Sequence, residues 1–197
     1  LFEDNGVYWI GDRINGSFDP GSPNWVGTFL DDEVDGRFSP PDGVRQLEAR
    51  AAQAPPGTFR MANFTQMVIS NDLPAADAEA LVNGPTDVVS MDMYWYTVPH
   101  CAQEPYRSPY LVEITRPACR SASSYGRAVE ALRIRDAADG ELQQLWHFVE
   151  NLNGGPVEGT YSGYVQPGQV KGAVMSAVIN EARGILYFNQ SFSGDCQ

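Results

Sequence analysis

Short runs of β-branched and aromatic residues alternate along this chain with longer segments of helical period, and Gly, Pro, Asn and Asp stand between them. That alternation constrains the fold more than any single motif. A strand, a helix and a second strand in succession pack stably as a right-handed unit with parallel strands. Strands are predicted over 7–10, 25–30, 58–63, 87–94, 145–149 and 185–189. Helices are predicted over 40–53, opened by Pro40-Pro41 and closed by Pro55-Pro56-Gly57, over 75–82, over 125–136, and from Pro167 to a stop near Gly184. The stretch 97–123 is long and irregular.

Strands and helices in this order predict an α/β fold, either a doubly wound parallel sheet or a (β/α) barrel of the TIM type. A full barrel has eight strands and takes roughly 250 residues. The six candidate strands in 197 residues are therefore read as a single barrel domain over 1–197 that lacks its first one or two βα units. Those units are otherwise supplied by another polypeptide or segment.

Thirteen Lys and Arg against 25 Asp and Glu give a net charge of −12, which repels phosphate backbones and argues against nucleic acid as a partner. No apolar run approaches the roughly 20 residues of a membrane span, so none is expected. The opening at Leu1, without Met or an apolar leader, fits a processed or truncated start.

Three cysteines with no C-x-x-C pair, in a chain with two His, lack metal-ligand spacing, so neither a metal nor another cofactor is expected. Cys101 and Cys119 bracket a proline-rich stretch and suit a disulfide-closed loop, which implies an extracellular or otherwise extracytoplasmic location. Cys196 is left over, with its partner expected on another segment or polypeptide. Asn15, Asn63 and Asn189 each open an N-x-S/T triplet, a pattern frequent by chance.

The phrases VGTFLDDE (26–33), DVVSMDMY (87–94), LWHFVE (145–150) and ARGILYF (182–188) occur in a fixed order. Together they resemble strands four, six, seven and eight of barrel glycoside hydrolases. In that clan an acid/base Glu ends strand four and a nucleophilic Glu ends strand seven. The resemblance thus implies Glu33 and Glu150 as the catalytic pair. Glycosidic cleavage needs one protonated carboxyl for the leaving oxygen and a second, ionised one at the oxocarbenium-like carbon. The clan usually carries Asn before its acid/base Glu to hold a sugar hydroxyl, whereas Asp32 stands there in this chain.

Around this pair, Asp32 and Asp92 are expected to raise the proton affinity of Glu33 by like-charge repulsion. Asp32, Asp92, Tyr94, Trp95 and Asn189 are candidate carbohydrate contacts, with Trp95 preferred over Trp9 as a flat platform for a sugar face. Each has a plainer reading. Asp31-Asp32-Glu33 suits a helix start, Glu150 suits a loop cap, Asp92 suits a group satisfying backbone donors, and strand aromatics usually belong to a core. His147, mid-strand beside Trp146, is expected to be a buried core residue.

The chain has no G-x-S-x-G, P-loop, G-x-G-x-x-G or H-E-x-x-H motif. The expected function is a glycoside hydrolase acting on a polysaccharide or cell-wall glycan. The alternative is a barrel without catalysis that binds carbohydrate, or serves as a structural component of a secreted or phage-tail assembly.

Overall fold

A computed structural model describes residues 2–12, 21–97, 110–151 and 165–189. Its six strands are β1 (Trp9–Gly11), β2 (Trp25–Asp32), β3 (Phe59–Phe64), β4 (Val88–Met91), β5 (Gln144–Glu150) and β6 (Gly184–Phe188). They form one all-parallel sheet in the order β1-β2-β3-β4-β5-β6, curled into a half-barrel. The α-helices are α1 (Val34–Arg37), α2 (Pro40–Ala51), α3 (Ala75–Val82), α4 (Ala122–Asp136) and α5 (Pro167–Ile179).

The strand order sets this sheet apart from a doubly wound one. A doubly wound sheet reverses its winding at a switch point and covers both faces with helices. Here every crossover steps to the next strand in the same direction, so right-handed connections stack the helices on one face. The helices pack in chain order, α2 on α3, α3 on α4 and α4 on α5. Leu30, Phe64, Met91 and Val149 from the strands meet Leu47, Leu81, Leu132 and Ala177 from the helices in the main core. Burial of these side chains, at roughly 25 cal/mol per Å² of apolar surface, is the main force holding the two layers together.

Local chemistry sets the element ends. Pro40 and Pro167 lie in the first turns of α2 and α5, where a missing N–H costs no helical hydrogen bond. A capping box between Gln166 and Gln169 adds to the start of α5. On the sheet, Gly27 of β2 lies under the ring of Phe59 and Gly184 of β6 under that of Trp146, so close that a Cβ at either would stand about 2.5 Å from ring carbons. Phe59 and Trp146 then meet edge to face at 5.7 Å. These glycines make room for two aromatic rings on the sheet.

Among the described residues no helix is long and apolar enough to cross a membrane. Cys119 is buried at the core's margin. Cys101 and Cys196 lie outside the described residues, as does Asn15. Asn63 is buried, so its triplet offers no surface acceptor for glycosylation in the folded chain.

Candidate functional site

In a parallel sheet all strands end at one edge, and the edge beyond the C-terminal strand ends is where α/β folds place their chemistry. Here β2 ends in Asp32 followed by Glu33, β3 carries Asn63 near its end, Asp92 follows β4, Glu150 ends β5, and Asn189 follows β6. Pairing is in step across this edge: Asp32 aligns with Asn63, Asn63 with Ser90, and Glu150 with Phe188.

The acidic triplet divides. The register of β2 on β3 shifts between Phe29 and Asp31, and this bulge breaks the two-residue alternation of side chains. Asp31 pairs with Arg37 of α1 and accepts from Gln46 of α2 at 2.7 Å. Against the upward push of burial, Gln46, the Asp32 N–H and Arg37 hold its carboxyl below the usual range. Asp31 therefore anchors the helix layer. Asp32 instead accepts from the Asn63 amide at 2.9 Å, and the Asn63 carbonyl accepts from Ser90 Oγ at 2.8 Å. An amide does stand beside the acidic pair, but it comes from β3 rather than from the residue preceding Glu33.

Glu33 caps α1 with φ of 51°, a left-handed conformation rare for a residue other than glycine. Its N–H donates to Asn63 O at 2.9 Å, and its carbonyl accepts from Gly36 N at 3.0 Å. Asp35, two residues on, is buried and accepts from Thr65 N and Thr65 Oγ1, each at 2.9 Å. Burial outweighs those bonds and pushes the Asp35 carboxyl up to about 6. These contacts tie α1 to the end of β3 and hold the strained turn in place, and the Glu33 residue it carries is only half-buried.

Asp92 is mostly buried, and its Oδ1 has no hydrogen-bond partner among the described residues. Burial, then the negative charges of Glu33 and Asp32, push its carboxyl up to about 8. The like-charge repulsion expected among these residues is thus expressed at Asp92. Tyr94 lies within the field of the whole group: burial, then Asp92, Glu150, Asp32 and Glu33, all raise its hydroxyl. Its ring packs on Phe188 at the end of β6, at 5.1 Å.

Glu150 is 0% exposed. One carboxyl oxygen accepts from Tyr96 N at 2.7 Å and the other from the Tyr125 hydroxyl. Burial pushes it up to about 7, against the opposing pull of Tyr125 and of backbone N–H groups. Burial, followed by the charge of Glu150, raises the Tyr125 hydroxyl in turn. His147 is wholly buried as expected, with Nδ1 at 2.8 Å from Met91 O, and burial lowers its imidazole to about 4.

Trp95 departs from its expected role. It is 1% exposed and packs edge-on against Tyr110 at 5.5 Å, so its ring presents no face to a sugar. The strand run of the sequence extends to residue 94, but β4 ends at Met91 and the chain turns there, carrying Trp95 into the core. Asn189 is exposed and accepts from Asn151 at 3.3 Å. Asn63 and Tyr125 were not among the expected site residues. Only Asn63 left a trace in the sequence, as a polar residue in a strand run.

A groove of about 490 Å³ lies beside α5, between Lys171, Met175 and Tyr187, and none of Glu33, Asp92 and Glu150 lines it. Among the described residues no group of three or more His, Cys, Asp or Glu is arranged to hold a metal ion. No family model, curated protein or solved structure matches this chain, so the chemistry of the strand ends carries the functional reading.

Proposed function

We propose that this chain is a TIM-type barrel, incomplete over these residues, that acts as a glycoside hydrolase on a polysaccharide or cell-wall glycan. The observation that carries the reading is the placement of carboxyl groups at the C-terminal ends of three strands, β2, β4 and β5, all of which act on the Tyr94 hydroxyl. In this reading Glu33 faces the substrate as acid/base group and Glu150 is the second carboxyl, held in one orientation by Tyr96 and Tyr125. Hydrolysis then needs one proton given to the leaving oxygen as the anomeric C–O bond breaks with its electron pair. A water attacks the anomeric carbon and loses its proton to the second carboxylate. Tyr94, Asn151 and Asn189 line the same edge and serve as sugar contacts, with Asp32 and Asn63 beside Glu33. The proposal also includes a Cys101–Cys119 disulfide, an extracytoplasmic location, and a further segment or polypeptide that completes the barrel.

The test is release of reducing ends from a panel of plant and bacterial wall glycans, by the wild type and by Glu33→Gln. Turnover lost in the variant at unchanged thermal stability supports the reading, and turnover retained by Glu33→Gln removes it. The complete burial of Glu150 favours a second reading, a carbohydrate-binding or structural barrel without catalysis. Oligosaccharide binding with no reducing ends released, unchanged by Glu33→Gln, would select it.

A further inference from the structure

The proposed chemistry requires one carboxyl that keeps its proton near neutral pH, and the resemblance assigns that proton to Glu33. The geometry around β4 points elsewhere. We infer that Asp92 holds the transferable proton of this site, with Asp32 and Glu33 as the charged neighbours that keep it there. The inference rests on the hydrolase reading for its purpose, but its test does not.

Three observations support it. Asp92 Oδ1 is buried and accepts no hydrogen bond among the described residues, a costly state for an ionised carboxylate and a tolerable one for a carboxylic acid. The nearby amide of Asn63 spends one N–H on Asp32 and its carbonyl on the Ser90 hydroxyl, which leaves a single N–H toward Asp92. Asn63 still acts on Asp92 in the direction that favours ionisation, but burial and charge outweigh it. Finally, the groups that charge its surroundings are Glu33 and Asp32 at the end of β2 and Asp35 on α1, all negative, with Glu150 acting on the adjacent Tyr94. Two carboxylates brought together cannot both ionise freely, and the more buried member keeps the proton.

Asp92 on this account is a proton-holding and positioning residue behind Glu33. Its expected signature is a raised midpoint that moves when Asp32 or Glu33 is neutralised, which a carboxyl raised by burial alone would not show. The measurement is carbon NMR of the intact protein labelled with ¹³C at aspartate Cγ only, so that Glu150 is silent, followed across the pH range. One signal, absent in Asp92→Asn, should titrate near 8. Asp32→Asn and Glu33→Gln should each lower that midpoint by about one unit, the shift expected for removing one nearby like charge. The inference is overturned if every aspartate signal of the wild type titrates in the ordinary carboxylate range, or if neither neutralising variant moves the Asp92 midpoint. Should Asp92→Asn fail to fold, the shifts in the other two variants still identify the signal and decide the matter. Loss of the hydrolase reading would appear separately, as no reducing ends from any glycan with the titration intact.

Discussion

Asp92 and Glu150 stand at the ends of adjacent parallel strands, the first mostly and the second wholly buried, and both with carboxyls pushed upward, to about 8 and about 7. They are held in opposite ways. Glu150 accepts from Tyr96 N and the Tyr125 hydroxyl, so donors compensate much of its desolvation and fix its orientation. Asp92 has a buried oxygen with no such partner and faces the charges of Glu33 and Asp32. Burial alone therefore does not define a carboxyl's role. Burial is the first cause of both upward shifts; donors fix the orientation of Glu150, and neighbouring negative charge adds to the rise at Asp92.

The contrast can be broken most directly at Glu150. Glu150→Ala leaves the Tyr125 hydroxyl proton buried without an acceptor and the Tyr96 N–H with only its longer bond to the Tyr125 oxygen at 3.3 Å, and should cost about 3 kcal/mol of stability in urea unfolding. A loss below about 1 kcal/mol would show that the clamp contributes little.

A smaller effect is expected in the pH dependence of stability. Both carboxyls bind a proton more tightly in the folded chain than in the unfolded one. Their contribution is full below the unfolded value of about 4 and falls as pH rises toward about 7 for Glu150 and about 8 for Asp92. His147 acts with the opposite sign. Its lowered imidazole gives stability that is complete above 6.5 and is lost as pH falls toward about 4. Between 6.5 and about 8, with His147 neutral in both states, wild-type stability should decline by up to about 1.4 kcal/mol per pH unit for each proton held. Asp92→Asn should flatten the upper part of that decline. An unchanged slope, read from denaturant midpoints across the window, would remove the distinction between the two residues.

Tyr125→Phe probes the other side at lower cost. It deletes one donor to Glu150, should destabilise by about 1 kcal/mol, and should raise the Glu150 midpoint, because that hydrogen bond favours the ionised form. The Asp92 midpoint should stay where it is. Movement of both would mean that the two strand ends titrate as one group.

Much of the scaffold was legible in the sequence. The helix predicted over 75–82 coincides with α3, and the run 145–149 with the body of β5. The strand at 185–189 is β6 displaced by one residue. The burial of His147 followed from its place in an apolar run. The strand predicted over 87–94 runs past the end of β4, because Met93 and Tyr94 continue the apolar and aromatic run, while the chain leaves the sheet after Met91. That error turned a core tryptophan into an expected sugar platform.

The sequence by itself determined the parallel α/β layering and the carboxyls that terminate its strands. Both are written in local periodicity, where β-branched runs, helical spacing and Pro or Gly punctuation act over a few residues. Only the tertiary structure decided the strand order without reversal, the bulge before Asp31 that re-aims the end of β2, and the partners of each acid. Those partners are distant in the chain, 31 residues from Asp32 to Asn63 and 54 from Tyr96 to Glu150. Register, curvature and burial bring such groups together. These depend on the whole sheet and helix layer packing at once, and no local pattern encodes them.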